Sequence, residues 1–143
     1  MADACLALQD REGVDVNLIL LGLWLGGSGH RLSGVAGRRL AKLARAWQQP
    51  IVAQLRRVRQ RLKQRANLPW AESVAGWRRR LGELELAMEQ VEQLLLEEAL
   101  DPIAAGSADE DAMRANLAAL GFGRLLETGE IAQLLRTAGT TVL

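Results

Sequence analysis

The chain has 143 residues, 49% of them apolar, with a formal net charge of +1, one cysteine and one histidine. That suffices for one core without crosslinks and is too short for two ordinary domains. Cys5 alone excludes an internal disulfide, and Cys5 with His30 falls short of a zinc ligand set, so a protein without cofactor or metal in a reducing cytoplasm is expected.

Asp3 to Gln9 reads as a short helix, broken by Gly13. Asp15 has the side chain to cap the next helix, Val16 to Leu25, which is apolar nearly all round and should be buried. At about ten residues it is half a membrane span, and acids rather than a basic stretch precede it, so neither a signal peptide nor a transmembrane helix is expected. Gly26-Gly27-Ser28-Gly29 ends it. Ser33 can cap a helix to about Gln48 with Val35, Leu40, Leu43, Ala44 and Trp47 on one stripe. Pro50 then sits where a new first turn would begin. Ile51, Leu55, Val58 and Leu62 carry a helix to about Arg65, and Asn67-Leu68-Pro69 breaks it.

From Trp70 the series Trp70, Val74, Trp77, Leu81, Leu84, Met88, Val91, Leu95 alternates steps of four and three. Such a repeat predicts a helix of some twenty-five residues packed lengthwise on another, in the same chain or in a second copy. Asp101-Pro102 stops it, and Ala104-Ala105-Gly106 links it to Ser107, which stands at capping-box spacing from Glu110. Leu117 and Leu120 edge a short helix that Gly121 would close, and a last helix runs from about Gly129 to Thr137 before a frayed tail. No stretch has period-two alternation or a hairpin turn signal. The fold class is therefore all-α: six or seven helices in a compact bundle with a long antiparallel hairpin. Residues 1–100 are expected to form the core domain, with 101–143 an acidic extension packed on it.

The segment Cys5-Leu6-Ala7-Leu8-Gln9-Asp10, then Gly13, Asp15-Val16-Asn17-Leu18 and Trp24-Leu25-Gly26, resembles the opening signature of a small proteobacterial family of unknown function. Trp47, Val52 and Leu55-Arg56-Arg57-Val58-Arg59 are similar to it as well, so the likeness spans roughly residues 4 to 100. It implies an all-helical cytoplasmic bacterial protein and brings no activity or catalytic residue. Members of that family begin with an aromatic-bearing helix ahead of the Cys-Leu signature, whereas Met1 to Ala4 alone precede it here, which bears on how the first helix packs.

Candidate sites are few. Gln9, Asp10, Asp15 and Asn17 bracket a turn and could line a polar pocket, although Asp and Asn are also the residues that cap helices. Cys5 lacks a neighbouring base, and His30 lacks a nucleophile motif to pair with. The glycines at 26, 27 and 29 follow a helix, where a phosphate loop needs a preceding strand. Asp109-Glu110-Asp111 suits a helix first turn and lacks EF-hand spacing. Trp70 and Trp77 fall in the apolar stripe and read as core.

Charge is the feature with functional content. Residues 38–80 hold thirteen Arg or Lys and one acid, Glu72, while 81–143 hold three Arg and twelve acids. In an antiparallel hairpin closed at Asn67-Leu68-Pro69, position n lies beside about 136 − n. Arg56, Arg57 and Arg59 then stand level with Arg78, Arg79 and Arg80, and the acids of the second helix fall beyond them. Together with Arg61, Lys63 and Arg65 they would make a basic tip that only the acidic C-terminal block could neutralise. The expected function is a non-enzymatic helical interaction protein that presents this hairpin to a protein partner or, as a homodimer, to a second subunit. The alternative is a binder of nucleic-acid phosphate through the tip, with no role at a membrane.

Overall fold

Asp15 opens the most apolar segment of the chain. Its Oδ1 accepts from the backbone N–H of Asn17 at 2.9 Å and of Leu18 at 3.4 Å, satisfying donors that a first helical turn leaves over. Helix α2, Val16–Gly27, follows, with α1, Ala2–Glu12, before it and Gly13 between them at φ +61. The structure, a computed structural model, describes residues 2–65, 69–101, 103–104 and 106–141. It continues with α3 (Gly34–Trp47), a π-type turn (Gln48–Val52), α4 (Ala53–Lys63), α5 (Ala71–Glu98), α6 (Glu110–Ala119), a 3-10 turn (Gly123–Leu125) and α7 (Gly129–Thr141). The fold is all-α. Its extended backbone, among the described residues, is one antiparallel bridge of β1 (His30–Arg31) with β2 (Ile103–Ala104), too short to leave an alternating pattern in the sequence.

Backbone contacts divide the chain into residues 1–42 with 99–143, and residues 43–98. This is not the boundary at residue 100 drawn from the sequence: the two ends of the chain form one unit and the segment between them another.

The first unit is built around α2 and α6. Ala4 and Leu8 of α1, Ile19 and Leu23 of α2, Met113 and Leu117 of α6, and Ile131, Leu134 and Leu135 of α7 form its core. The helices approach closely because three glycines let them. A Cβ on Gly26 would fall inside the backbone of Met113, one on Gly37 inside the carbonyl of Ala119, and one on Gly22 would press on Leu120 and Leu117 at 3.0 and 3.2 Å. Asn116 of α6, fully buried, ties three strands of backbone together. Its Nδ2 donates to the carbonyls of His30 (2.9 Å) and Gly22 (3.2 Å), and its Oδ1 accepts from Leu32 N–H (2.8 Å). Arg11 closes α1 onto α7 through Glu130 at 2.6 Å.

The second unit is a helical hairpin. Trp47 Nε1 at the end of α3 donates to the Met88 carbonyl and Gln48 Nε2 of the π-type turn to Glu92, whereas Arg56 and Arg59 of α4 donate to Glu85, so partners on α5 fall in number as the chain runs from Trp47 into α4 and the pair is antiparallel. Of the expected turn, Asn67 and Leu68 lie outside the described residues, as do Pro102 and Ala105 of the later stop and linker.

Several local expectations change. Pro50 does not start a new helix: the backbone passes from α3 to α4 through the π-type turn, in which Ala53 N–H reaches back five residues to the Gln48 carbonyl. Proline has no N–H to give and crowds the carbonyl four residues back, and a widened turn relieves both. Val35 is exposed while Ala36, Leu40 and Ala44 face inward, a rotation of the expected stripe. The cap of α6 is Asp109, not Ser107: Asp109 Oδ1 accepts from Ala112 N–H at 2.8 Å and Ser107 donates to the other carboxylate oxygen. That bond from Ser107, then the one from Ala112, holds the Asp109 carboxyl below its ordinary range. Gly121 closes α6 as expected, at φ +96, with Phe122 N–H on the Leu117 carbonyl and Gly121 N–H on that of Ala118. α7 continues to Thr141 rather than fraying at Thr137.

Candidate functional site

Of the turn residues singled out from the sequence, Asp15 has a structural role. Asp15 is the α2 cap, the Gln9 carbonyl accepts from Gly13 N–H at 3.1 Å, Asp10 is exposed, and Asn17 is half-buried in the first turn rather than sealed inside the helix. Burial pushes the Cys5 thiol up, away from a reactive thiolate. His30 is half-buried, and its carbonyl is held by Asn116.

The hairpin differs from its expected register in an instructive way. Pairing n with 136 − n sets Trp47 opposite residue 89, and Trp47 bonds the Met88 backbone at 2.9 Å. The same rule sets Arg56 opposite Arg80, yet Arg56 Nε donates to Glu85 at 2.7 Å and its Nη2 to Glu89 at 2.9 Å, while Arg59 Nε donates to Glu85 at 2.7 Å. Helical side chains lean toward their own N-terminus, so on antiparallel helices the two leans add. Long Arg and Glu side chains therefore meet several residues beyond their backbone register. The expectation that α5 could not neutralise Arg56 and Arg59 is overturned by this lean. Burial raises the Glu85 pKa, but hydrogen bonds from Arg59 and Arg56 and their charges outweigh it, and the carboxyl sits below its ordinary range.

This ion-pair cluster decides which way α5 turns. Glu85 and Glu92 are buried, at 6% and 0% exposure, and face inward with Leu96. A residue advances about 100° around a helix, so seating Glu85 against α4 swings Leu84 outward. The heptad stripe is thus split. Its row Val74, Leu81, Met88, Leu95 is half-buried, while Trp70, Trp77 and Leu84 of the other row are 66%, 59% and 45% exposed. Trp70 and Trp77, expected in the core, stand on the surface. Leu94 is 63% exposed and Leu86 is exposed too.

Of the nine cations assigned to the tip, Arg56 and Arg59 are spent on Glu85 and Glu89. Arg57 donates to the Gln54 side chain at 3.1 Å. Among the described residues, Arg61, Lys63, Arg65, Arg78, Arg79 and Arg80 take part in no ion pair, and the Arg80 guanidinium lies 4.9 Å from the Trp77 ring centroid. Two acids of the C-terminal block are paired away from the tip, Glu110 with Arg114 at 2.8 Å and Glu130 with Arg11 of α1. The buried acids, the π-type turn beside them and Asn116 were missed from the sequence. Glu85, Glu89 and Glu92 at i, i+4 and i+7 are the signal that a second, polar stripe ran beside the apolar one.

Among the described residues, no helix is long and apolar enough to cross a membrane. Neither a curated protein nor a solved structure matches the sequence. Residues 1–96, which hold the signature segment of α1 and α2 and all but the end of the α4–α5 hairpin, match the family described as "Protein of unknown function (DUF2390)", and the chain belongs to it.

Proposed function

We propose that this is a non-enzymatic helical interaction protein of the bacterial cytoplasm, and that its working surface is the outward face of α5. The observation that carries the reading is the row of exposed large side chains on one side of α5 and the residue before it, Trp70, Trp77, Leu84 and Leu94. Large apolar side chains exposed along one helix face mark a contact site, because leaving apolar surface in water costs about 25 cal/mol per Å². A photo-crosslinking residue placed at Leu94 in living cells tests it, with exposed Val35 as the control position. Crosslinks to protein from 94 and not from 35 are expected; equal, diffuse labelling from both would overturn the reading.

A second reading is supported by the cations of the hairpin end and by Trp70 and Trp77 standing exposed beside them: contact with nucleic-acid phosphate, with bases stacked on the indoles. Mobility shift against bulk RNA and DNA at two salt concentrations tests it. No binding at about 50 mM salt, where phosphate contacts are strongest, would remove it.

A further inference from the structure

We infer that the outward face of α5 is the seam of an antiparallel homodimer. This rests on the interaction reading above and names the partner: a second copy of the chain.

The seam keeps one row of the heptad stripe read from the sequence, Trp70, Trp77, Leu84 and Val91, and takes its other row from Ser73, Arg80, Ala87 and Leu94. Starting from Trp70, positions 70, 73, 77, 80, 84, 87, 91 and 94 follow at alternate steps of three and four, the spacing of knobs in a two-helix seam; Ala87 and Val91 are half-buried and the others exposed. Trp70, Trp77, Leu84 and Leu94, the large exposed apolar side chains of this face, all lie on it. Its inner flank is the Leu81 and Met88 row that borders α4, so the face is continuous with the hairpin and not an isolated patch.

Geometry and charge select an antiparallel second copy. Centred on residue 82, an antiparallel copy brings n level with 164 − n and matches every seam position to another. Trp77 meets the small Ala87 of the second copy, Ser73 meets its Val91, Trp70 its Leu94, and Arg80 its Leu84. Charge runs along α5 from Arg78, Arg79 and Arg80 near its start to Glu97 and Glu98 at its end. In the antiparallel arrangement Arg80, already laid along its own Trp77, stands beside Glu83 of the second copy, and the acidic end of each α5 reaches toward the hairpin end that carries Lys63 and Arg65. A parallel copy would set Arg80 against Arg80 and Glu97 against Glu97. Both the pairing of large with small and the pairing of unlike charge thus favour one arrangement, and its two-fold symmetry closes the assembly at two.

The test uses the full chain with Cys5→Ala, carrying Ser73→Cys and Val91→Cys together or singly, and a short bismaleimide crosslinker. The double variant is expected to form a covalent dimer and each single variant not to, since in this register 73 meets 91 and neither meets itself. Light scattering on the unmodified protein should give twice 15.6 kDa, and Leu84→Arg, which sets a second guanidinium level with Arg80 of the second copy at an exposed position, should return it to 15.6 kDa with helicity unchanged. Crosslinking of the single variants, a dimer indifferent to Leu84→Arg, or a mass of 15.6 kDa at high concentration would each overturn the proposal. The photo-crosslink at Leu94 separates this from failure of the interaction reading: a product with a different protein removes the second copy and keeps the surface, while labelling no different from Val35 removes both.

Discussion

The two units of this protein solve the problem of burial in opposite ways. In residues 1–42 and 99–143 the core, among the described residues, is apolar, with nine side chains from four helices, and the fully buried Asn116 hydrogen-bonds through both its amide atoms. Among the described residues of 43–98 the buried side chains are Ala44, Val52 and Leu96 together with two carboxylates, while tryptophan and leucine face water. The first is a core that stands on packing. The second is a hairpin oriented by ion pairs, with its apolar side left over, and a surplus of that kind on a folded helix is what a binding face requires.

If the first unit depends on close helix approach, Gly26→Val should be the most damaging change in the molecule. Its side chain has nowhere to go but the Met113 backbone, and a loss of more than about 4 kcal/mol is expected, read as loss of cooperative thermal unfolding. Asn116→Leu comes next. It strands the His30 and Gly22 carbonyls and the Leu32 N–H, for about 3 to 5 kcal/mol by denaturant unfolding. Were either variant to melt like the parent, the contrast between a packed and an ion-paired unit would fail.

In the hairpin, Glu85→Gln should cost less, about 1 to 2 kcal/mol, because Arg56 and Arg59 keep some solvent and Glu89 remains for Arg56. Its pH dependence sharpens the comparison. The folded pKa of Glu85 lies below the unfolded value of about 4.3, so its stabilisation is complete above that value and is lost as pH falls through the folded one. Hydrogen exchange should show α4 and α5 opening on acidification below about pH 4 before α2 and α6 do, and Glu85→Gln should flatten this response.

The smallest effect on stability is expected from changing Arg78, Arg79 and Arg80 together to Gln, within about 0.5 kcal/mol, since none is in an ion pair among the described residues. Any binding to nucleic acid should weaken about equally for all sequences, with the salt dependence flattened by up to about three contacts. A large loss of stability instead would mean that the tip is a structural cluster like that of Glu85.

The sequence by itself determined the helices and most of their ends, because those depend on near neighbours: Asp15 reaches two residues on, Gly121 alone tolerates its positive φ, and apolar spacing declares a helix whatever it later packs against. It also determined that the hairpin would be long, antiparallel and charged. What it could not determine was rotation and partnership. The apolar stripe of α5 and the acidic row beside it are both legible, but which faces α4 is settled by Arg56 and Arg59 reaching Glu85 across a gap that side-chain lean displaces from the backbone register. The same holds for Gly26, which reads as a helix end, and for Gly22 and Gly37, which the sequence does not single out, until α6, some eighty or more residues away in the chain, lies against them. Periodicity fixes what a helix can offer, and only the geometry of its neighbours decides which side is taken.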